Sequence, residues 1–207
     1  MGKNIINVGF KAFYGCGNLK IVTLRCSTIN FNTYVFESDS NFTEIKLETN
    51  EDKYKVEDNI VYSKDGKTLI MCPNGRKEEF NIPDTVEIIK SGAFRSGELS
   101  SVIISDTVTS IENEAFAYNR FLENIEIGEN VTSIANSFPT CGNLRVVTIR
   151  SSTVANNINS KTSMGNLIYY ANTIYIKDNI NSIGNYITDN YQVTESDKEG
   201  YVKYIKK

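Results

Sequence analysis

Short stretches in which apolar and polar residues alternate recur along the chain at a nearly constant spacing. Each stretch has the form apolar-x-apolar and begins three residues after a leucine or phenylalanine. Such alternation is typical of a β-strand with one buried and one exposed face. The predicted strand cores are residues 22–24, 45–47, 102–104, 125–127 and 147–149.

A phenylalanine precedes each of these strands and keeps the same spacing. Phe94, Phe116 and Phe138 lie 22 residues apart, and Phe13 and Phe36 lie 23 residues apart. Between a strand and the next phenylalanine, the segment 82–89 is echoed at 104–111 and 127–134, with Pro, Asp, Gly or Asn at positions that favour a turn. Each repeat is therefore predicted to contain a strand, a turn, a second short extended piece and a return loop that carries the phenylalanine.

One repeat of this kind cannot bury its own apolar side. Stacking the repeats about 4.8 Å apart pairs their strands and places like side chains over one another. The sequence therefore predicts a mainly β repeat solenoid, in which ladders of Leu, Ile, Val and Phe form a continuous core. We expect a single domain over residues 1–207.

Residues 82–104 resemble the repeat unit of the BspA-like (Treponema pallidum-type) leucine-rich-repeat family. They carry its Ile-Pro, Val, Ile, Ala-Phe and closing Leu-x-x-Val-x-Ile positions in order. The resemblance covers most of the chain and implies a right-handed superhelix with short strands and irregular return loops. It also places Cys16 and Cys141, each three residues before a strand leucine, at the family's cysteine position. That position implies small buried spacers.

The period is interrupted between Phe36 and Phe94, which lie 58 residues apart, where two repeats would need about 46. Two apolar runs flank Asp65-Gly66 in this interval, a pattern that predicts a β-hairpin. We expect an inserted hairpin at 54–73, between repeats at about 6–47 and at 82–150, and it resembles a hairpin common in the family. Either its tip forms part of a binding surface, or it is a structural rung of altered length.

The C-terminal part departs from the repeat. Residues 151–177 are predicted to be a degenerate repeat that lacks the phenylalanine and ends in a strand at 173–177. Beyond it, Ile180, Ile183, Ile187 and Tyr191 have the spacing of an amphipathic helix, with Asp178 as its N-cap. We expect residues 178–207 to form a helical cap. The chain begins partway through a repeat, which suggests a fragment of a longer protein.

Composition excludes several classes of function. The chain has no His, the commonest general base and metal ligand, and its four cysteines form no C-x-x-C pair. With 22 Lys and Arg against 25 Asp and Glu, its net charge of −3 does not favour nucleic acid. No phosphate-binding motif, signal peptide or membrane span is visible. We expect no enzymatic activity, no cofactor and no bound metal.

The exposed positions of the strands remain as a candidate binding surface, because the curved sheet of a solenoid is a recurrent binding face. The resemblance implies a non-catalytic protein-binding module, secreted or at a cell surface, that engages host or extracellular matrix proteins in adhesion. A structural spacer, or an accessory domain of a larger secreted protein or enzyme, is the alternative. The predicted ligand-facing residues are Arg25, Glu44, Lys46, Glu48, Ile103, Glu126, Thr148, Arg150 and Tyr175.

Overall fold

Stacked short β-strands line two sides of a common apolar core. The computed structural model describes residue 5 and residues 8–25, 34–38, 41–48, 53–160 and 166–207. In chain order, the elements are β1 (Ile21–Leu24), β2 (Glu44–Leu47), β3 (Tyr54–Glu57), β4 (Ile60–Ser63), β5 (Thr68–Met71), β6 (Phe80–Asn81), β7 (Ile88–Ile89), β8 (Ser101–Ile103), β9 (Ser110–Ile111), β10 (Asn124–Ile127), β11 (Ser133–Ile134), β12 (Val146–Ile149), α1 (Ser152–Asn156), β13 (Thr173–Lys177), α2 (Asn185–Asn190), β14 (Tyr191–Thr194) and β15 (Tyr201–Lys206).

The larger sheet has seven strands in the order β14-β15-β13-β12-β10-β8-β6, and those from β13 to β6 are parallel. Its register confirms the repeat alignment, because equivalent residues pair directly. Ile125 of β10 pairs with Val102 on one side and with Val147 on the other, and all three are buried. The side chains between them along each strand point to the opposite face of this sheet.

The second sheet has six strands in the order β11-β9-β7-β5-β4-β3. Its parallel part is built from the short extended pieces of each repeat, and Leu69, Ile89, Ile111 and Ile134 form one buried row across it. The predicted hairpin is confirmed as the antiparallel pair β4–β5, to which β3 adds a third antiparallel strand. Because β5 continues the parallel row, the insertion forms a structural rung of the solenoid.

Phenylalanines form a ladder along the return loops. The rings of Phe94 and Phe116 stack at 4.9 Å, and those of Phe116 and Phe138 at 5.1 Å, with interplanar angles of 3° and 5°. All three side chains are buried. Burying such a side chain contributes roughly 1.5–3 kcal/mol by transfer from water, so the ladder is a major part of the core.

The first two repeats form a separate two-stranded parallel sheet, β1–β2, over an apolar cluster that they share with the inserted strands β3–β5. The prediction of a buried spacer is wrong for Cys16, which is exposed in this first rung. It is confirmed for Cys141, whose thiol lies 3.0 Å from the Phe116 carbonyl oxygen. Cys141 is buried because it packs against the Phe116 loop of the preceding rung. Cys26 lies outside the described residues.

The C-terminal cap is helical only over the six residues of α2. The prediction that Asp178 caps this helix is wrong, because Gly184 is the N-cap residue. Ile180 and Ile183 still pack against the core, but from an irregular segment. The hairpin β14–β15 follows, and β15 pairs antiparallel with β13, so that it closes the larger sheet.

The degenerate repeat contains the short helix α1 where the preceding repeat has its turn and second short extended piece. The Ser151 side chain caps this helix by accepting a hydrogen bond from the Val154 backbone N–H at 3.1 Å. Val154 and Ala155 are buried there. Residues 161–165 of the predicted repeat lie outside the described part of the chain.

Candidate functional site

Four of the predicted ligand-facing residues form one row across the larger sheet. Ile103 pairs with Glu126, Glu126 pairs with Thr148, and Thr148 pairs with Tyr175. They share a face because each occupies the same position in its repeat, between two buried positions of its strand. A second outward row runs beside the first and consists of Ser101, Asn124, Val146 and Thr173.

The loop of the terminal hairpin, residues 195–200, lies over this face. Lys198 donates a hydrogen bond from Nζ to Glu126 Oε2 at 2.9 Å and lies 3.4 Å from Thr148 Oγ1. Thr148 is 6% exposed, although its position in the strand is an outward one. The loop therefore turns part of an open sheet into a groove.

Tyr175 anchors the other side of the same loop. Its hydroxyl donates a hydrogen bond to Asp197 Oδ1 at 2.6 Å, and Lys203 Nζ lies 3.1 Å from the same oxygen. The hydrogen bond from Tyr175 and that from Lys203 lower the pKa of Asp197, while the bond to Asp197 raises the pKa of Tyr175. These contacts hold the carboxylate ionised at the wall of the groove.

The groove has a volume of about 350 Å³. Its floor is formed by strand residues of the two outward rows, and one wall is formed by the hairpin loop. The floor is mixed in character, with Ile103 and Val146 as apolar points between the polar Ser101 and Asn124. Such a lining can hold an extended segment by apolar contact and by hydrogen bonds to its backbone.

Charged residues at one end of the groove form a balanced network. Arg150, just beyond β12, pairs with Asp106 at 3.1 Å and lies 3.1 Å from Glu126 through its Nε. Lys177 pairs with Glu129 at 2.9 Å, which raises the pKa of the lysine. The Arg150 side chain is 21% exposed, so its role is to hold Asp106 and Glu126 in place at the end of the groove.

The structure does not bring the remaining predicted residues into this groove. Arg25, Glu44, Lys46 and Glu48 lie on the separate sheet β1–β2, where Arg25 pairs with Glu48 at 2.7 Å and Lys46 with Glu44 at 2.8 Å. The insertion divides the predicted surface into two sheets. Such exposed ion pairs contribute little stability, because solvent screens them.

Asp197 and Lys198 are the functional candidates that sequence reasoning missed. The pattern that could have found them is the alternation at 191–194 and 201–206 on either side of Gly200, which predicts a hairpin. The isoleucine spacing at 180–187 favoured a helix instead. The loop can reach the sheet because β15 returns along β13.

The described residues contain no cluster of three or more His, Cys, Asp or Glu side chains placed to hold a metal ion. In the same part of the chain, no helix has the length and apolar character needed to cross a membrane. What the groove offers is apolar contact, hydrogen-bond donors and acceptors, and fixed charges of both signs. These noncovalent interactions are suited to reversible binding of a ligand.

Comparison with known proteins agrees with this architecture. The sequence matches six copies of the BspA type leucine rich repeat region, over residues 1–74 and 71–194. The fold is similar to a leucine-rich repeat protein from Eubacterium ventriosum, with a TM-score of 0.53 and 25% identity over 62% of this chain and 35% of that one. It is also similar to a leucine rich cell surface protein from Faecalibacterium prausnitzii, with a TM-score of 0.56 and 23% identity over 88% of this chain and 55% of that one.

The chain thus spans about a third to a little over half of the length of these solved structures. No curated protein matches the sequence. The two family matches together cover most of the chain, and they coincide with the stacked rungs described above. This protein belongs to the BspA-type leucine-rich repeat family.

Proposed function

We propose that this chain is a non-catalytic protein-binding module whose ligand lies in the groove between the larger sheet and the loop 195–200. The proposal rests on the wall of the groove, in which residues of the loop 195–200 are held against residues of the repeats. Lys198 and Asp197, from the end of the chain, are fixed against Glu126 and Tyr175 of the repeats. A purely structural spacer needs a cap on its last rung, but it does not need a loop held over the outer face.

The proposal extends to a role in adhesion at a cell surface, with host or extracellular matrix proteins as ligands. The similar protein from Faecalibacterium prausnitzii is described as a cell surface protein. Repeat solenoids of this kind present extended surfaces that suit large protein ligands. The near balance of charge in the groove favours recognition by shape and hydrogen bonds over attraction to a strongly charged partner.

The test is a binding panel of immobilised fibronectin, laminin, collagen and fibrinogen, measured with the wild-type chain and two variants. Asn124→Arg places a long side chain on the floor of the groove without removing any residue of the charged network. Ser133→Arg makes the same change at an exposed strand position of the second sheet. We expect saturable binding by the wild type, loss of roughly tenfold or more in affinity for Asn124→Arg, and wild-type affinity for Ser133→Arg.

Thermal melts of both variants must match the wild type for the comparison to count. Equal weakening by the two substitutions would contradict a site in the groove. Wild-type affinity in Asn124→Arg would place the ligand elsewhere on the solenoid. An absence of binding across the panel would contradict the matrix ligand and favour the spacer role.

A further inference from the structure

A second hollow lies on the other edge of the solenoid, among the phenylalanine return loops. It has a volume of about 460 Å³, within the range of small-ligand sites in proteins. The loops that follow Phe13, Phe36, Phe94 and Phe116 all contribute to it. No residue of this hollow lines the groove on the sheet, so the two sites are separate.

Arg95 forms the base of this hollow. Its guanidinium lies between two aromatic rings, 4.8 Å from the centroid of Tyr34 and 4.5 Å from that of Tyr118. It pairs with Glu37 at 3.2 Å and also with Glu114. The Arg95 side chain is 9% exposed, and its Nε has no hydrogen-bond acceptor among the residues that the structure describes.

Glu37 is the matching acceptor. Its side chain is 8% exposed, and its Oε2 forms an ion pair with Lys11 Nζ at 3.0 Å. Both side chains border the hollow, and the Arg95 Nε is the buried polar atom of this pair that has no partner among the described residues. Buried polar groups are normally satisfied, and those that are not call for an explanation.

Aromatic side chains stand exposed around this base. Tyr14 is 53%, Tyr118 40% and Phe121 55% exposed, and all three line the hollow. Of the seven large apolar side chains that are exposed on the described surface, three line this one hollow. Rings with one free face are suited to stacking against a ligand.

The backbone at Tyr118 is held in the left-handed region, with φ of 60°. The equivalent positions after the other phenylalanines carry Gly15, Ser38, Ser96 and Thr140, all small residues. A bulky side chain costs more in this conformation than glycine does. The large ring is therefore kept at an unfavourable position, where it covers Arg95 and borders the hollow.

Charges in the hollow come in both signs. Lys11 and Arg95 share the carboxylate of Glu37, and Glu98 pairs with Lys77 at 3.3 Å. An anionic ligand would approach the two carboxylates, and a cationic one would approach Lys11, Arg95 and Arg120. A neutral ligand avoids electrostatic repulsion by either set of charges, and it can still use hydrogen-bond donors and acceptors on opposite walls of the hollow.

We propose that this hollow is a binding site for a neutral oligosaccharide. The apolar face of a pyranose ring would stack on Tyr118 or Phe121, through its C–H groups. Its hydroxyl groups, which donate and accept at once, would bond the Arg95 guanidinium and the Glu37 carboxylate. This combination of an aromatic platform with paired donors and acceptors matches a sugar ring better than it matches an extended peptide.

The test begins with an array that carries neutral hexose and N-acetylhexosamine oligosaccharides beside sulfated and uronic-acid ones, followed by calorimetric titration of the oligosaccharides that bind. The variants are Tyr118→Ser, which installs the residue found at the equivalent positions 38 and 96, and Phe121→Ser. The control is Tyr169→Ser, which removes another partly exposed tyrosine, one that does not line the hollow. Melting temperatures verify that each variant is folded.

We expect binding to neutral oligosaccharides, weakened roughly tenfold or more in Tyr118→Ser and Phe121→Ser and unchanged in Tyr169→Ser. If Tyr118→Ser fails to fold, Phe121→Ser decides alone, because its ring is more exposed. Binding to acidic oligosaccharides only would overturn the proposal in favour of simple attraction to the cations. A lack of binding to all neutral oligosaccharides would also overturn the proposal. So would a Tyr118→Ser variant that loses binding to a protein ligand and not to an oligosaccharide. The sheet groove and its protein ligand are tested separately by Asn124→Arg.

Discussion

At the scale of single residues, each phenylalanine turn needs a left-handed residue two positions after the ring. The chain meets this need with glycine only once among the described turns. The other positions carry side chains, and a β-branched residue is the least suited to positive φ. The residues and their φ angles are Gly15 at 66°, Ser38 at 68°, Ser96 at 57°, Tyr118 at 60° and Thr140 at 63°.

We expect Thr140→Gly to stabilise the protein by about 0.5–1 kcal/mol. Relief of the left-handed conformation contributes roughly 1–2 kcal/mol, and the greater freedom of glycine in the unfolded chain offsets part of it. Thr140 is exposed, so little contact is lost. Urea unfolding measures the difference. The control Thr132→Gly, at an exposed threonine with negative φ, should destabilise. A loss of stability in both variants would contradict the argument.

At the scale of elements, the C-terminal cap depends on one close backbone approach. Gly184, the N-cap of α2, donates its N–H to the Ala155 carbonyl oxygen at 2.8 Å. A Cβ atom built on it would lie 2.0 Å from the Ile158 carbonyl oxygen. Only glycine fits there, and the contact brings the segment that follows the last repeat strand against the degenerate repeat.

We expect Gly184→Ala to destabilise the protein by about 1–3 kcal/mol, because the clash is with backbone that cannot rotate away. The matched control is Gly142→Ala, where a Cβ meets nothing within 4 Å. That substitution should be neutral or slightly stabilising. Urea unfolding of the two variants gives the comparison. Equal stabilities would show that the cap is held elsewhere, for instance by the pairing of β15 with β13.

At the scale of the whole molecule, the lack of histidine and the burial of thiols determine how stability depends on pH. Desolvation by burial raises the pKa of both Cys72 and Cys141 to about 12, from an ordinary value of 9.0. Burial likewise raises the pKa of Tyr191 to about 12. No side chain type in the sequence has an ordinary pKa between about 5 and 8.

We expect the melting temperature to stay nearly constant from about pH 6 to 8 and to fall as the pH rises above about 9. Below that value the folded and unfolded chains both keep these protons, so the stability does not change. Above it the unfolded chain releases protons that the folded chain retains, which favours unfolding until the pH reaches about 12. Scanning calorimetry at a series of pH values measures the curve.

The double variant Cys72→Ala, Cys141→Ala is the control for this prediction. It removes two of the groups whose pKa values differ between the folded and unfolded states, so its melting temperature should fall less steeply above about pH 9. An equal slope in the variant would assign the alkaline loss to other groups. A marked change between about pH 6 and 8 would contradict the prediction and indicate a carboxyl group with a strongly raised pKa.

The residues that repeat could be predicted, and those that occur once could not. Phe116 and Ile125 were placed correctly because neighbours in the stack require the same side chain at the same point of each repeat. Cys16 and Cys141 have the same spacing to a strand leucine, but spacing alone does not fix burial, and only Cys141 is buried. The helix predicted from Asp178 begins later in the structure, because isoleucines spaced for a helix also suit an irregular segment that packs one side inward.

The repeat length, the positions of the parallel strands, the phenylalanine ladder and the inserted hairpin can all be predicted from the amino-acid sequence. Each of these follows from local periodicity, since a stacked core repeats its buried residues at a constant interval. The positions of the loop 195–200 and of Arg95 depend on the three-dimensional packing of the rungs. Lys198 contacts Glu126, which lies 72 residues away along the sequence, and Arg95 contacts Glu37, which lies 58 residues away. Such single contacts between distant residues leave no period in the chain, because they form only after the rungs have stacked.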